Sequence, residues 1–353
     1  MQILHESTLW ALLDRVVGTV RTVRLFEALT IHGDLLEAKG EGPVDRKLLA
    51  QALNMLLFED VTRRVPMAAA YVGDAVRAGE KLVFDHGALR TVACDCGSLP
   101  QGYEAFRRIL EPLGFEVRGT YPLEKLGMTG RAFAHVDLPE HIAQFFVSEL
   151  HPECFTAKFQ QAVLRTVGSS RDPLPLSAKA RLEQLQRDGA LPFADAVSLL
   201  PNLVGCFDRQ HNEPSWTDYR TMLRESKEMA WIATEGNAFN HATDRVADVG
   251  KVADEQKRLG RPMKDKVEVS ASGRVRQTAF RAAQVERHFV TDEGKLRTEV
   301  VPGSFHEFIT RDEESPGVLD LRFDSGNATA IFKMTRKQGA AVTPRGRTGK
   351  IDA

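Results

Sequence analysis

Leu82-Val83-Phe84-Asp85-His86-Gly87-Ala88-Leu89-Arg90-Thr91-Val92 is short, apolar and bounded by Gly79 on one side and Gly97 to Pro100 on the other, the signature of a buried β-strand. Side chains two apart share a face of a strand, so His86, Ala88 and Arg90 point the same way, with His86 and Arg90 roughly 13 Å apart along the backbone. A small dianion could bridge that gap. Downstream, 102–114 predicts a helix stopped by Pro112 and Gly114, Phe115–Arg118 a strand, and Arg131–Asp137 another. The order then repeats. Ala238-Phe239-Asn240-His241-Ala242 predicts a second opening strand, 246–259 a helix closed by Gly260-Arg261-Pro262, 267–280 two strands around a Ser-Gly turn, and Phe305–Arg311 a later strand. Two segments of the same order, each opened by a His-bearing strand, imply a pair of related β-α-β units packed side by side.

Upstream, apolar residues of 8–28 fit one helical face with Thr8 as N-cap, and similar spacing recurs in 46–58. A further helix starts at 65–71, with Pro66 in its first turn, and ends near Gly79. Residues 139–167 predict one or two helices, and 169–192 is the clearest break in composition. The expected organisation is a helical N-terminal layer (1–79), a first module (80–168), a linker and helical insertion (169–230), a second module (231–336) and a disordered tail (337–353).

Composition narrows the function. Of 353 residues, 42% are hydrophobic and 27% charged, ordinary globular usage. Lys plus Arg number 47 against 48 for Asp plus Glu, leaving no basic excess for a phosphate backbone, so nucleic acid is not expected as a partner. The N-terminal residues lack a secretory pattern and no apolar run reaches spanning length; no membrane association and a cytoplasmic location are expected. Four cysteines suggest free thiols. Cys94-Asp95-Cys96 has no second Cys/His pair at ligand spacing, so it reads as small buried residues on a strand rather than a metal site.

Glu307 shares a strand face with Phe305 and Ile309, and a carboxylate in an apolar row calls for a cation. Two imidazoles and one carboxylate form the facial triad of non-haem Fe(II) oxygenases. A lone His on a strand is more often structural, and Arg90 has the alternative of pairing with a structural acid. His306 must face away from Glu307 on a regular strand. His135 is a candidate to enter the pocket, and Gln277 and Thr278 are candidates either for orienting ligands or for strand pairing.

With these residues in place, the chain resembles the 2-oxoadipate dioxygenase/decarboxylases, or hydroxyglutarate synthases, of the vicinal oxygen chelate superfamily. The resemblance spans about residues 1 to 335. It is carried by Asp85-His86-Gly-Ala-Leu-Arg90-Thr, Phe239-Asn-His241, Arg276-Gln-Thr-Ala-Phe280, Gly303-Ser-Phe-His-Glu307-Phe-Ile and Ser325-Gly-Asn-Ala-Thr-Ala-Ile-Phe332. It implies an α+β fold of paired βαβββ modules forming a central curved sheet, with the helical layer and insertion added. It implies Fe(II) held by His86, His241 and Glu307, and Arg90 at the substrate carboxylate. Gly326 and Asn327 fall at the family's substrate contacts near its C-terminal end, with residue types that differ from the best-known member. The implied reaction takes 2-oxoadipate and O2 to 2-hydroxyglutarate and CO2, in lysine catabolism, with no second cofactor. The competing readings are an extradiol-type dioxygenase or glyoxalase-like metalloenzyme, and a non-catalytic small-molecule-binding module of the same fold. A homodimer is one option for the assembly.

Overall fold

The computed structural model describes residues 6–324. Its centre is an eight-stranded sheet, curled into a half-barrel, built from β1 (Phe84–Val92), β2 (Phe115–Leu123), β3 (Met128–His135), β4 (Gln144–Leu150), β5 (Phe239–Arg245), β6 (Glu268–Val269), β7 (Val275–Ala279) and β10 (Phe305–Arg311). A separate antiparallel hairpin, β8 (Gln284–Val290) and β9 (Leu296–Pro302), is inserted between β7 and β10. The sheet order is β2-β3-β4-β1-β5-β10-β7-β6. In each half the opening strand lies at the centre and pairs in parallel with the last strand of its module, β4 on β1 and β10 on β5. The two opening strands pair antiparallel with each other. A helix follows each opening strand, Glu104–Leu110 in the first half and Val249–Arg258 in the second. The expected pair of βαβββ modules is therefore present, with one hairpin added to the second.

The β1–β5 pairing carries the internal symmetry residue by residue. Its partners are Phe84 with Asp244, His86 with Thr243, Gly87 with Ala242, Ala88 with His241 and Leu89 with Phe239. Adding 155 to a β1 number gives its β5 counterpart, and the whole set of pairs, irregularities included, maps onto itself. A two-fold axis thus runs through the Gly87–Ala242 pair, making His86 and His241 equivalent. Gly87 is needed here for space, since a Cβ would sit 2.0 Å from the Phe239 ring.

One face of the sheet is covered by helices. We label the N-terminal ones α1 (Thr8–Val17), α2 (Thr19–Ala28), α3 (Arg46–Arg64) and α4 (Pro66–Arg77). The expected single helical face over 8–28 is broken at Gly18, whose φ of 81° ends α1 and starts α2. The cap is Ser7, accepting from the Trp10 amide at 3.2 Å; Thr8 is already helical. Helix α3, capped by Asp45, is buried around most of its circumference because it lies between α1 and the sheet. Leu89, Phe133, Phe145, Val147 and Phe239 of the sheet share one core with this layer.

After Gly114 the strand expected over 115–118 runs on to Leu123. Within 139–167 the structure has one helix, α6 (Ala157–Val167), as expected, and also a strand the sequence did not announce, β4 (Gln144–Leu150); α5 is the Glu104–Leu110 helix. All seven residues of β4 are buried, so it lacks the alternation that marks a half-exposed strand. Three further helices, α7 (Leu176–Asp188), α8 (Phe193–Gly205) and α9 (Trp216–Glu225), precede α10 (Lys227–Glu235), which leads into β5. Helices α6, α9 and α10 close the other face of the first module over Val92, Leu123, Met128 and Leu150. Cys94 and Cys96 are free thiols in the turn after β1, not on a strand. Among the described residues no helix is long and apolar enough to cross a membrane.

Candidate metal centre

Two bulges aim the central histidines. Between the Phe84–Asp244 and His86–Thr243 pairs, Asp85 is the extra residue on β1; between Ala88–His241 and Leu89–Phe239, Asn240 is the extra residue on β5. A bulge sets two residues against one and re-aims a side chain. His86 and His241 each follow such a residue, and both face the trough away from the helical layer. Glu307 reaches the same place from β10, where it pairs with Thr243.

All three side chains are buried. Glu307 Oε2 lies 3.1 Å from His241 Nε2 and 3.7 Å from His86 Nε2. Thr243 Oγ1 donates to Glu307 Oε2 at 3.0 Å and lies 3.1 Å from His86 Nε2. The His241 ring stacks on Phe305 and stands edge-on to His86. Burial pushes His241 below the ordinary imidazole range, against the opposing pull of Glu307, and so favours the neutral ring that a metal requires.

The residues fit a divalent metal. One donor atom from each of His86, His241 and Glu307 lies within 4.8 Å of the others. Two bonds of about 2.1 Å meeting at right angles put their donors about 3.0 Å apart, and at the tetrahedral angle about 3.4 Å. The 3.1 Å separation falls between those values and the 3.7 Å one lies slightly above them. Glu307 Oε1 is buried with no partner among the described residues, and a buried carboxylate oxygen in that state is stabilised by a cation. The site is three-sided because the two modules differ. Glu307 stands opposite Thr243, whereas the equivalent place on β4, opposite Ala88, holds Phe146.

Arg90 follows His86 on the same face of β1 and is fully buried, its guanidinium 4.9 Å from the centroid of Trp231 on α10. Burial pushes it down to about 10, with Glu228 partly opposing, so it stays cationic at neutral pH. The Asn237 side chain donates to its backbone carbonyl at 2.9 Å. Between Arg90 and the triad the wall is small and apolar, formed by Ala88, Ala132 and Phe146 with Phe323 against them.

Of the residues singled out in the sequence, His86, His241 and Glu307 come together and Arg90 shares their face. His306 lies on the helical side near Phe58, Tyr71 and Phe308, as the strand period requires. His135 does not enter the trough: it ends β3 on the helical side, edge-on to Phe115, where its Nδ1 accepts from the Asp137 amide. Gln277 is buried opposite Ile309 in the β7–β10 ladder, and the Thr278 hydroxyl reaches the Lys266 carbonyl. Gly326, Asn327 and the 337–353 tail lie outside the described residues. Three contributors escaped the sequence reading: Asp85, Thr243 and Arg311. Asp85 accepts from His86 Nδ1 at 2.8 Å and is clamped by Arg311 through bonds of 2.9 to 3.1 Å. Burial alone would raise Asp85, but Arg311 and His86 outweigh it and hold the carboxyl far below its ordinary range. The available signal was the repeat of Phe-Asx-His at 84–86 and 239–241.

Comparison with known proteins points the same way. A family model described as 2-oxoadipate dioxygenase/decarboxylase matches residues 55–314. The 2-oxoadipate dioxygenase/decarboxylase of Pseudomonas putida is 23% identical over 333 residues, 91% of this chain; the chain spans only 61% of that relative's length. A protein of Ralstonia eutropha JMP134, described as of the glyoxalase superfamily, has a crystal structure 54% identical with a TM-score of 0.87, covering 90% of this chain and 98% of that one. The hydroxyglutarate synthase of Oryza sativa, solved in complex with 2-oxoadipate, is 19% identical with a TM-score of 0.63, covering 84% and 96% of the two chains, and so shares the fold.

Proposed function

Since the chain belongs to the 2-oxoadipate dioxygenase/decarboxylase family, we propose that it is a non-haem Fe(II) enzyme that oxidatively decarboxylates a 2-oxo dicarboxylic acid, with 2-oxoadipate the leading substrate. The balanced reaction is 2-oxoadipate plus O2 to 2-hydroxyglutarate plus CO2. A cytoplasmic step of lysine catabolism is part of the same reading. The observation that carries it is the buried His86, His241 and Glu307 group on the same strand face as a buried cation, Arg90.

Each side chain has a definable task. His86, His241 and Glu307 would hold Fe(II), a donor set that leaves room for a 2-oxo acid and O2. When bound, the iron supplies the chelation of the substrate's carboxylate and oxo oxygens and the activation of O2. Thr243 bridges His86 and Glu307 and so keeps two of the donors in register. Arg90 binds the substrate carboxylate away from the iron through paired charge-assisted hydrogen bonds, which fixes the carbon chain and selects a dicarboxylate. Trp231 beneath the guanidinium limits its motion, and Ala88, Ala132 and Phe146 keep water from the chain between the two anchor points.

The test is anaerobic loading with Fe(II), followed by oxygen-electrode turnover on 2-oxo mono- and dicarboxylic acids of four to seven carbons with CO2 collected. Equal uptake of O2 and release of CO2 on the dicarboxylates supports the reading. Consumption of catechols instead, or of none of the panel, overturns it.

A further inference from the structure

From the Asp85–His86–Arg311 chain we infer that Asp85, locked by Arg311, is a positioning residue that fixes His86 in the tautomer carrying its proton on Nδ1, making it the stronger and better-oriented of the two imidazole donors. The inference rests on the metal-binding reading of the triad and goes beyond it.

Asp85 Oδ1 is shared between His86 Nδ1 at 2.8 Å and Arg311 Nη2 at 2.9 Å, while Oδ2 takes Arg311 Nε at 2.9 Å. A carboxylate bonded by a guanidinium is ionised and only accepts, so the proton between Asp85 and His86 belongs to the ring. The ring's other nitrogen, Nε2, is the one that faces Thr243 and Glu307, the position from which its lone pair would serve a metal. Arg311 is itself immobilised. Its Nη1 donates to the carbonyls of Asp320 and Arg322, each at 2.9 Å, and its side chain is fully buried. The same 320–323 segment brings Phe323 edge-on to His86 with ring centroids 4.8 Å apart.

The second module lacks this device. Its equivalent of Asp85 is Asn240, and His241 Nδ1 is buried with no partner among the described residues. A carboxylate on the far nitrogen orients a ligating imidazole and raises its basicity, and removal of such a partner costs tenfold to hundredfold in metal affinity. The two-fold related histidines are thus unlike as ligands, His86 pre-set and His241 held mainly by its stack on Phe305.

The experiment is competition for Co(II) against a chromophoric chelator, with the Co(II) absorption spectrum recorded, on wild type, Asp85→Asn, Arg311→Lys and Asn240→Ala. We expect about tenfold to hundredfold weaker binding and an altered spectrum for Asp85→Asn, a smaller loss in the same direction for Arg311→Lys, and near wild-type affinity for Asn240→Ala. Nitrogen-15 spectra of histidine-labelled, metal-free wild type, assigned with His86→Gln, should show the Nδ1–H tautomer at His86. Should Asp85→Asn fail to fold, Arg311→Lys and that tautomer signal decide the matter. Wild-type affinity and spectrum in the foldable variants, or an Nε2–H tautomer at His86, would overturn the inference. Failure of wild type to bind Co(II) at all would instead overturn the metal reading beneath it.

Discussion

Replacing Glu307 by Gln should separate the stability of the metal-free protein from its capacity for metal, leaving the first nearly unchanged and removing the second. Glu307 is fully buried, and its Oε1 has no partner among the described residues. In the metal-free chain burial penalises its charge while His241 and His86 offset that penalty and hold the carboxyl below its ordinary range, so an isosteric amide that keeps the hydrogen bonds changes stability by only about 1 kcal/mol. The amide oxygen of Gln can still accept from His241 Nε2 and Thr243 Oγ1, so the local hydrogen bonds survive. An unfolding entropy of about 2.1 cal/mol/K per residue, over 353 residues, gives about 0.74 kcal/mol/K, or about 1.4 °C for each kcal/mol. Metal-free Glu307→Gln should therefore melt within about 2 °C of wild type. Wild type with free Fe(II) at about a hundred times its Kd gains about 2.7 kcal/mol, a rise of about 4 °C. The variant should show almost none of that rise. Anaerobic differential scanning fluorimetry with and without Fe(II) reads both quantities. A variant that melts well below wild type when metal-free, or that keeps the Fe(II)-induced shift, refutes the assignment of Glu307 as a buried charge awaiting a cation.

Arg90→Met should lower kcat/KM on 2-oxoadipate by about 30- to 1,000-fold, the 2–4 kcal/mol typical of a truncated buried charge contact, yet spare 2-oxohexanoate, which lacks the second carboxylate; equal losses in initial-rate oxygen uptake on the two acids would remove Arg90 from substrate recognition. Phe146→Glu places a carboxylate at the symmetry equivalent of Glu307, so Co(II) affinity should rise by about tenfold or more while turnover falls as a coordination position is filled; unchanged affinity in chelator competition would show that Phe146 does not border the metal. His135, driven to about 4 chiefly by burial, binds its proton less readily folded than unfolded, so its share of stability is complete above about pH 6.5 and is lost as pH falls toward 4. His135→Phe should make urea-measured stability shallower across that window by up to about 1.4 kcal/mol per pH unit, and an unchanged slope would mean the ring is accessible to protons.

What the sequence made legible follows from which signals are local. Strands β1, β5 and β10 each announce themselves as short segments close to chain-breaking neighbours, β1 as an apolar run, and their order, repeated after a helix, predicts paired modules. Strand β4 hid because burial on both faces erases alternation, and its Phe-Phe-Val core fits a helix as well as a strand. The β8–β9 hairpin went unforeseen because its exposed, charged face makes no hydrophobic row long enough to declare a strand. Asp85 was missed for a different reason. A strict period of two sends neighbours to opposite faces, and only a bulge, which is a property of the pairing between two distant strands, lets Asp85 bond the ring of His86. Duplication accounts for the likeness of Phe84-Asp85-His86 and Phe239-Asn240-His241, and it explains why two imidazoles meet at a two-fold axis. It cannot explain the chemistry, because a fully symmetric pair would also supply two carboxylates and fill four positions. Glu307 against Phe146 and Asp85 against Asn240 are the departures, one giving the proposed centre its open side and the other making its histidines unequal. On this reading the fold comes from what the two halves share and the activity from the positions at which they diverge.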